Sequence, residues 1–547
     1  MTLFQNIANR LGLALQGDVQ TAFRRGQNHA RRSFEGAQIN RLTMDLSTVE
    51  TRIDQEIQSG GKALRARARL LAQNNEYVRR FLQLFVANVV GPNGHTFQSN
   101  VTEIKEQEKK WKRVPDKLAN MKITEAFLDW QRSEHCSADG RYTYPTIQKL
   151  TAMYYGRDGE AFIRRVYDPH SKYLLKLQLL PPEAIDETYN MVLSNKNVVV
   201  MGVEIDKWRR PVAYWIKKAI PEYQIYGMSS YGSERERIPA SEIIHWFDSE
   251  YSNQTRGYTR IASAMLHLHW IKGYENAAVT NARISAGKMG FFGDAKDEDV
   301  DDFEGDGQTG TEEADNSNTV IDASPGTFSD IGSKKFMPFD PTYPTQQHEM
   351  FIRTTLRGAA SGLGLAYSSL ANDYSTANYS SLRAELLVER RMWLNEQQKM
   401  IDDVQKRIFT WWLEAVLGGP VNLPMSKFEK LNQPVFTGPR WPWVDPVKDA
   451  QGVRMELESL LVSPFDVAAD RGQDLEQLYR DIAEARDLAA EYDLEPVYET
   501  GKLQQQPVEQ QEPQPPTEPQ PPEASPARSA ADLAGALARP GNGNGNH

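Results

Sequence analysis

The stretch NDYSTANYSSLRAELLVERRMW, Asn372 to Trp393, passes from a polar connection into a helix. From Leu365 to Ser380 the chain offers Tyr, Ser, Asn and Thr, with Asp373 the only charge. From Ser381 to about Leu417 the pattern is helical. Leu386, Trp393, Met400, Val404, Ile408, Trp411 and Ala415 fall on one side, a stripe for a core or for subunit packing. Upstream, a helix is predicted from Thr345 to Gly362, so the polar segment Gly364–Ser380 joins two helices.

Outward from this point the texture alternates. Gly60 to Asn88 is rich in Ala, Leu and Arg without proline and ends at the Gly91-Pro92-Asn93-Gly94 turn signal, which predicts two helices or one broken helix. Further helices are expected at Thr124–Trp130, with Thr124 as cap, and at Tyr144–Tyr155. Glu160 to Phe247 carries the runs AFIRRVY, YLLKLQLL, NVVVMGVEI, PVAYWIKK and EIIHWF and reads mostly as strand. Ile261, Met265, Leu268, Ile271 and Tyr274 then mark a long helix ending near Gly287. After the proline-rich LNQPVFTGPRWPWVDP, Ser463, Pro464 and Asp466 resemble a capped helix start. Leu475, Leu478, Ile482, Ala485 and Ala489 share a helix face beyond Gly472. The result is a mixed α+β chain, predominantly helical.

The 547 residues, 40% hydrophobic, can bury a sizeable core, and the length is a soft prior for roughly three or four domains. One cysteine, Cys136, excludes an internal disulfide framework and reads as a small buried hydrophobe. The first residues lack a secretory pattern, and the most apolar run, FLQLFVANVV, is too short to cross a membrane. The net charge of -10 argues against tight non-specific nucleic-acid binding, which comes from cations displacing counterions. Two basic clusters remain as possible DNA or partner contacts: Arg24, Arg25, Arg31 and Arg32, and then Arg65, Arg67 and Arg69. A solvated helix face is the plainer reading of each.

No nucleophile elbow, phosphate loop or zincin motif occurs. His267 and His269 point to different sides of a helix and do not make a metal pair, and no carboxylate pair is framed for acid/base work. Asp302–Glu313, DFEGDGQTGTEE, matches both G-x-G-x-x-G and, with Glu at its third position, an approximate calcium loop. No strand and helix frame it for a dinucleotide, and Thr309 stands where a calcium loop packs an apolar residue. It reads as an acidic surface loop. From Gln504 onward a Pro, Gln and Glu tract leads to GNGNGNH and is expected to be disordered. No cofactor, catalytic residue or metal ligand is assigned.

NDYSTANYSSLRAELLVERRMW, together with QNNEYVRRFLQLFVANVVGPNG (Gln73–Gly94), IPASEIIHWFDSEYSNQTRGYTRIASAM (Ile238–Met265) and LRGAASGLGLAYSSL (Leu356–Leu370), resembles the lambda family of tailed-phage portal proteins. The specific core is D-Y-S-x-x-N-Y-S-S-x-R, Asp373 to Arg383; Val444-Asp445-Pro446 also fits, and the likeness runs from about Arg32 to Leu494. It implies a portal fold of wing, stem, clip and crown, assembled as a dodecameric ring at one capsid vertex. Double-stranded DNA would be packaged and ejected through that ring.

The implied partners are further copies of the chain, the large terminase as packaging motor, head-completion and tail connector proteins, and the major capsid and scaffold proteins, with no membrane. The place is the virion after assembly in the host cytoplasm. The implied organisation is a basic arm at 1–31, a first wing part at 32–159, clip and stem at 160–287, and the acidic flexible loop at 288–318. A wing return follows at 319–362, a tunnel loop at 363–380, the long helix and connection at 381–444, a crown-like block at 445–500 and the tail at 501–547. In the tunnel loop, Tyr367, Ser368, Ser369, Asn372, Asp373, Tyr374, Asn378 and Tyr379 are the expected DNA neighbours; a plain inter-helix connection is the competing reading. A non-enzymatic conduit is expected. A scaffold or connector is the nearer alternative and a metal-dependent nuclease the remoter one.

Overall fold

In the computed structural model the described residues are 41, 47–107, 110–219, 231–286, 290–294, 334–338, 347–375, 378–441, 446–473 and 475–494. Arg24, Arg25, Arg31 and Arg32, the Asp302–Glu313 double motif and the Pro/Gln tail lie outside them. The chain divides into one compact unit ending at Gln473 and a second beginning at Asp474.

The first unit begins with α1 (Ile53–Asn74) and α2 (Glu76–Val89), the broken pair expected from composition. The break is Asn75, whose backbone is extended. Its side-chain oxygen accepts from the backbone N–H groups of Tyr77 and Val78, both at 3.1 Å, so one residue ends α1 and caps α2. Strands β1 (Thr96–Ser99), β2 (Thr102–Gln107) and β3 (Lys110–Pro115) follow, all unforeseen. Helix α3 (Lys117–Trp130) starts well before Thr124, because the Asp116 carboxylate accepts from Ala119 N–H and caps an earlier turn. Helix α4 (Tyr144–Asp158) ends at Gly159, in the left-handed region at φ 92°.

The strand-rich stretch forms two antiparallel sheets. Strand β4 (Glu160–Tyr167) is central in one, between β11 (Ile243–Phe247) and β5 (Leu175–Leu180). The other has the order β10-β9-β8-β7-β6, from β6 (Met191–Val192), β7 (Val198–Val200), β8 (Val203–Ile205), β9 (Pro211–Ala219) and β10 (Tyr231–Pro239). NVVVMGVEI is therefore two strands, folded back at Met201 and Gly202, which both have positive φ as a two-residue hairpin turn requires. Strand β10 was missed because its sequence, YGSERERIP, is charged. It lies at the end of the sheet order, where charge discourages pairing with another chain.

Helix α5 (Met265–Ala286) follows, its Leu268 and Ile271 in the main core; it begins at Met265, with Ile261 still in the preceding turns. Strands β12 (Gly290–Asp294) and β13 (Lys334–Pro338) pair antiparallel, and α6 (Gln347–Leu363) returns. Ser263 donates to the carbonyl of Gly362 at 2.8 Å, and the Tyr274 ring lies 5.0 Å from that of Phe351, so α5 and α6 run antiparallel. The short α7 (Tyr367–Ala371) precedes α8 (Tyr379–Met400). Helix α8 passes through a π turn at Ile401–Gln405 into α9 (Lys406–Val416). Its stripe is core: Trp393, Met400, Val404, Ile408 and Trp411 are buried. Strand β14 (Pro434–Thr437) closes back on β1, placing Phe97 opposite Phe436 beside Phe127, Phe409 and Trp412. Helices α10 (Pro446–Glu458) and α11 (Pro464–Asp470) follow, α11 with the Ser463–Asp466 capping box expected. The second unit contributes α12 (Leu475–Glu491).

One buried ion cluster joins helices to sheets. Glu160, at the start of β4, is fully buried and accepts from Arg256 at 2.8 and 2.5 Å, from His245 at 3.1 Å and from the backbone of Gly257 at 3.1 Å. Arg256 also donates to the carbonyls of Met201 and Pro182. Arg65 reaches Glu160 and Glu187; Arg69 grips Asp158 at 3.0 and 2.9 Å and also Glu183. Of the cations the sequence offers for DNA or partner contact, Arg65 is buried and Arg69 half-buried in internal ion pairs, and Arg67 faces solvent. The cluster needs close backbone approach, since a Cβ on Gly257 would lie 2.2 Å from the carbonyl oxygen of Gly159. The cluster ties β4 and the turns before α5 to α1 and α4, and α5 itself is tied to the start of α2, Asn75 donating to the carbonyl of Leu268 at 3.1 Å and Tyr77 to Glu275 at 2.9 Å.

Removing one partner of a buried pair leaves an uncompensated charge at a cost of about 3–5 kcal/mol. Glu160→Ala is expected to lower the urea unfolding free energy by that order, whereas Arg67→Ala stays within about 0.5 kcal/mol. Equal effects would contradict the assignment.

The pH dependence follows from buried histidines. Burial pushes His95 down to about 4, against the bond from its ring to the carbonyl of Val89, and burial also lowers His245. The unfolded chain then binds more protons below about 6.5, so stability is full above that pH and is lost as pH falls toward 4. Burial acts to raise the Glu160 carboxyl, but the charge and hydrogen bonds of Arg256 with the bond from His245 hold it well below its usual range, so its loss comes at lower pH. Denaturation at pH 7 and pH 5 is expected to show weakening at pH 5, smaller in His95→Gln; identical pH slopes in the two proteins would refute this.

Candidate functional site

The segment between α6 and α8 is built as an anchored turn. Leu365 and Leu370 are buried and pull α7 against the body, where Arg80 donates to the carbonyl of Ser369 at 3.3 Å. Ser368 donates to Glu385 at 2.7 Å, and Glu389 accepts from Ala366 N–H and from the indole of Trp393. Ser368 and Ser369, expected at the surface of the turn, are therefore buried within the chain. The apolar pair Leu365 and Leu370, visible in the sequence, was the signal passed over.

Past Asn372, which adopts φ 55°, Asp373 organises the turn. It accepts from Ser375 N–H at 3.0 Å, from Ser375 Oγ at 2.6 Å and from Tyr367 Oη at 2.8 Å, and lies 3.3 Å from Arg353. The Ser375 and Tyr367 bonds hold its carboxyl down at about 2. Tyr367 is half-buried beneath Arg357, and Asn378 spends its side chain on Ser381 N–H as the cap of α8. Asn372, Tyr374 and Tyr379 remain exposed and uncharged. A cleft of about 390 Å3 beside the turn is lined by Glu275, His348, Arg353 and Asp373 among others. Arg353 there already pairs with Glu349 and Asp373, so its charge is committed within the chain.

Helix α5 has two apolar sides. Leu268, Ile271 and Ala278 are buried; Leu266, Trp270, Gly273, Ala277 and Thr280 form an exposed, uncharged seam at alternating spacings of four and three. A glycine inside a helix costs roughly 0.5–1 kcal/mol relative to alanine. A Cβ on Gly273 would meet nothing within 4 Å, so no neighbour among the described residues calls for it. His267 and His269 are both exposed on this helix, and among the described residues no group of His, Cys, Asp and Glu is placed to hold a metal. Cys136 is buried and burial pushes its thiol up to about 12, matching the inert reading. Among the described residues no helix is long and apolar enough to cross a membrane.

Residues 40–397 match the family model described as phage portal protein, lambda family. The chain is 30% identical over 435 residues to a probable portal protein of Halomonas phage phiHAP-1, covering 79% of this chain and 81% of the relative. It is 21% identical over 445 residues to portal protein B of Escherichia phage lambda, covering 76% and 81%. Among solved structures it is similar to a chain in the neck of a native GTA particle computed with C12 symmetry, at 13% identity and a TM-score of 0.37, covering 78% of this chain and 95% of that one. A chain in the neck of an empty GTA particle computed with C6 symmetry gives 16% identity and a TM-score of 0.38, covering 76% and 93%. With the family model spanning most of the folded body and Asp373–Arg383 inside the match, this chain belongs to the lambda family of phage portal proteins.

Proposed function

We propose that the chain assembles head to tail into a closed dodecameric ring at one capsid vertex and conducts double-stranded DNA during packaging and ejection, without catalysis of its own. On this reading the large terminase docks on one side of the ring, head-completion and tail connector proteins dock as the head matures, and the major capsid and scaffold proteins surround it. The antiparallel pair α5 and α6 is the stem. The anchored turn around Asp373 is the tunnel loop.

The observation that carries this reading is the exposed seam of α5. Gly273 and Ala277 would allow a neighbouring helix to approach closely, and Leu266 and Trp270 would anchor it. Rings form when two different faces of each subunit meet and the rotation closes. The surface chemistry agrees with transport. A channel lined by cations would gain affinity by counterion release at each phosphate and stall the duplex. Here the net charge is -10, Arg65, Arg69 and Arg353 are committed within the chain, and the turn offers Asn372, Tyr374 and Tyr379 for weak, neutral contact.

Negative-stain images of the purified chain are expected to show rings with an axial hole, and the chain alone should hydrolyse no ATP. Monomers that hydrolyse ATP would overturn the reading. Trp270 is 61% exposed, so Trp270→Glu should leave the monomer folded by circular dichroism while shifting rings to smaller species in sedimentation. Undiminished rings would remove the α5 seam from the interface.

A further inference from the structure

A cleft between β4, β5 and α9 has no part in the readings above, and neither has the run RRGQNHARR, Arg24 to Arg32. The cleft encloses about 360 Å3. Arg165 and Tyr167 line it from the end of β4, Leu175 from the start of β5, Glu242 from the turn before β11, and Trp411 and Glu414 from α9.

One guanidinium is already held there. Arg165 lies over the ring of the buried Trp411, 5.7 Å from its centroid, and pairs with Glu414 at 3.2 Å. A planar, delocalised and weakly hydrated guanidinium suits an aromatic face beside a carboxylate better than an ammonium does. A second set of the same parts stands unused. The Glu242 carboxylate is half-buried and makes no hydrogen bond or ion pair among the described residues, and Tyr167 is 65% exposed. A carboxylate that has lost part of its water gains more from a charge-assisted bond than one at an open surface.

Charge and reach select the occupant. Among the stretches outside the described residues, 220–230 has no Lys or Arg, 295–333 is acidic, and beyond 494 the cations stand singly. Arg24–Arg32 has four arginines and no acidic residue. Ile53 to Arg65 on α1 covers about 18 Å, Arg65 touches Glu160 at 3.4 Å, and Glu160 to Arg165 along β4 covers about 17 Å. From Arg32 to Ile53 the chain can extend to about 70 Å, more than that whole path. A tethered segment meets its site at about millimolar effective concentration, so a weak pocket is enough to hold it.

We propose that the cleft is the docking site of the chain's own basic arm, an arginine of Arg24–Arg32 entering beside Tyr167 and pairing with Glu242 of the same subunit. While docked, the arm is withheld from phosphates and adds no affinity through counterion release.

Trypsin cuts after arginine, and its rate on the arm follows the undocked fraction. In the full chain, Glu242→Gln and Glu242→Lys are each expected to speed cleavage within Arg24–Arg32 about tenfold, the loss of one hydrogen bond to a charged group, with an unchanged circular dichroism spectrum. Equal rates in the three proteins would overturn the docking. The second measurement places a benzophenone side chain at position 167 of the full chain and mixes 14N and 15N subunits before assembly. Irradiation is expected to capture a peptide from residues 24–32 carrying the same isotope as position 167, and Glu242→Lys should abolish the capture. Capture of an arm of the other isotope would assign the cleft to a neighbouring copy, and capture of any other protein would assign it to a partner; either result would overturn the proposal. Neither readout depends on the ring, so a failure here leaves the ring reading standing.

Discussion

Glu160 and Arg256 sit together where water does not reach, 2.5 Å apart and both essentially without exposure. Two bare charges in such a place are expensive, and they persist only when every remaining donor and acceptor is used. His245, Gly257 and Arg65 complete Glu160; Met201 and Pro182 complete Arg256. Each belongs to a different element, so satisfying the pair requires α1, β4, β11 and the turns before α5 to be in place at once. The stacking of His245 on Phe162, at 4.2 Å between ring centroids, seals the site from the sheet side.

This constraint separates a fixed body from surfaces left for other work. The body consumes Arg65 and Arg69 of α1 and the aromatic groups of α3, α4 and α9. The paired helices α5 and α6 root in the same core through Leu268, Ile271, Leu356 and Ala359, and at their return stands a turn held by Asp373. The turn is pinned by short bonds from neutral groups and one ion pair, which orders it while leaving little net charge on its outer side. An ordered, nearly neutral loop suits brief contact with a polyanion better than a flexible cationic one, because each captured phosphate would hold the duplex in place.

Much of this was legible in advance where a pattern is local. The broken helix ending before Gly91, the capping box at Ser463, the buried Cys136 and the stripe from Trp393 to Trp411 all follow from residue spacing and caps within a few turns. Reading failed where the deciding partner was distant. TFQS at β1 is a strand because PVFT, far along the chain, lies beside it. The charged β10 is a strand because β9 supplies its ladder. Ser368 and Ser369 looked like loop surface until Leu365 and Leu370 drew them inward, with Glu385 and Arg80 waiting for their polar atoms.

By itself, then, the amino-acid sequence determined the helical composition, the polar turn before α8 and, through Asp373–Arg383 and its companion motifs, the family. Those signals are short-range, carried by periodicity, capping and fixed spacing. Only the tertiary structure decided which charges remain available. Arg65, Arg67 and Arg69 look alike as a run, yet Arg65 is buried and Arg69 half-buried in ion pairs while Arg67 faces solvent. The difference lies in where Glu160, Asp158 and Glu183 come to rest, since an ion pair depends on distance in space and burial, neither of which spacing along a helix encodes.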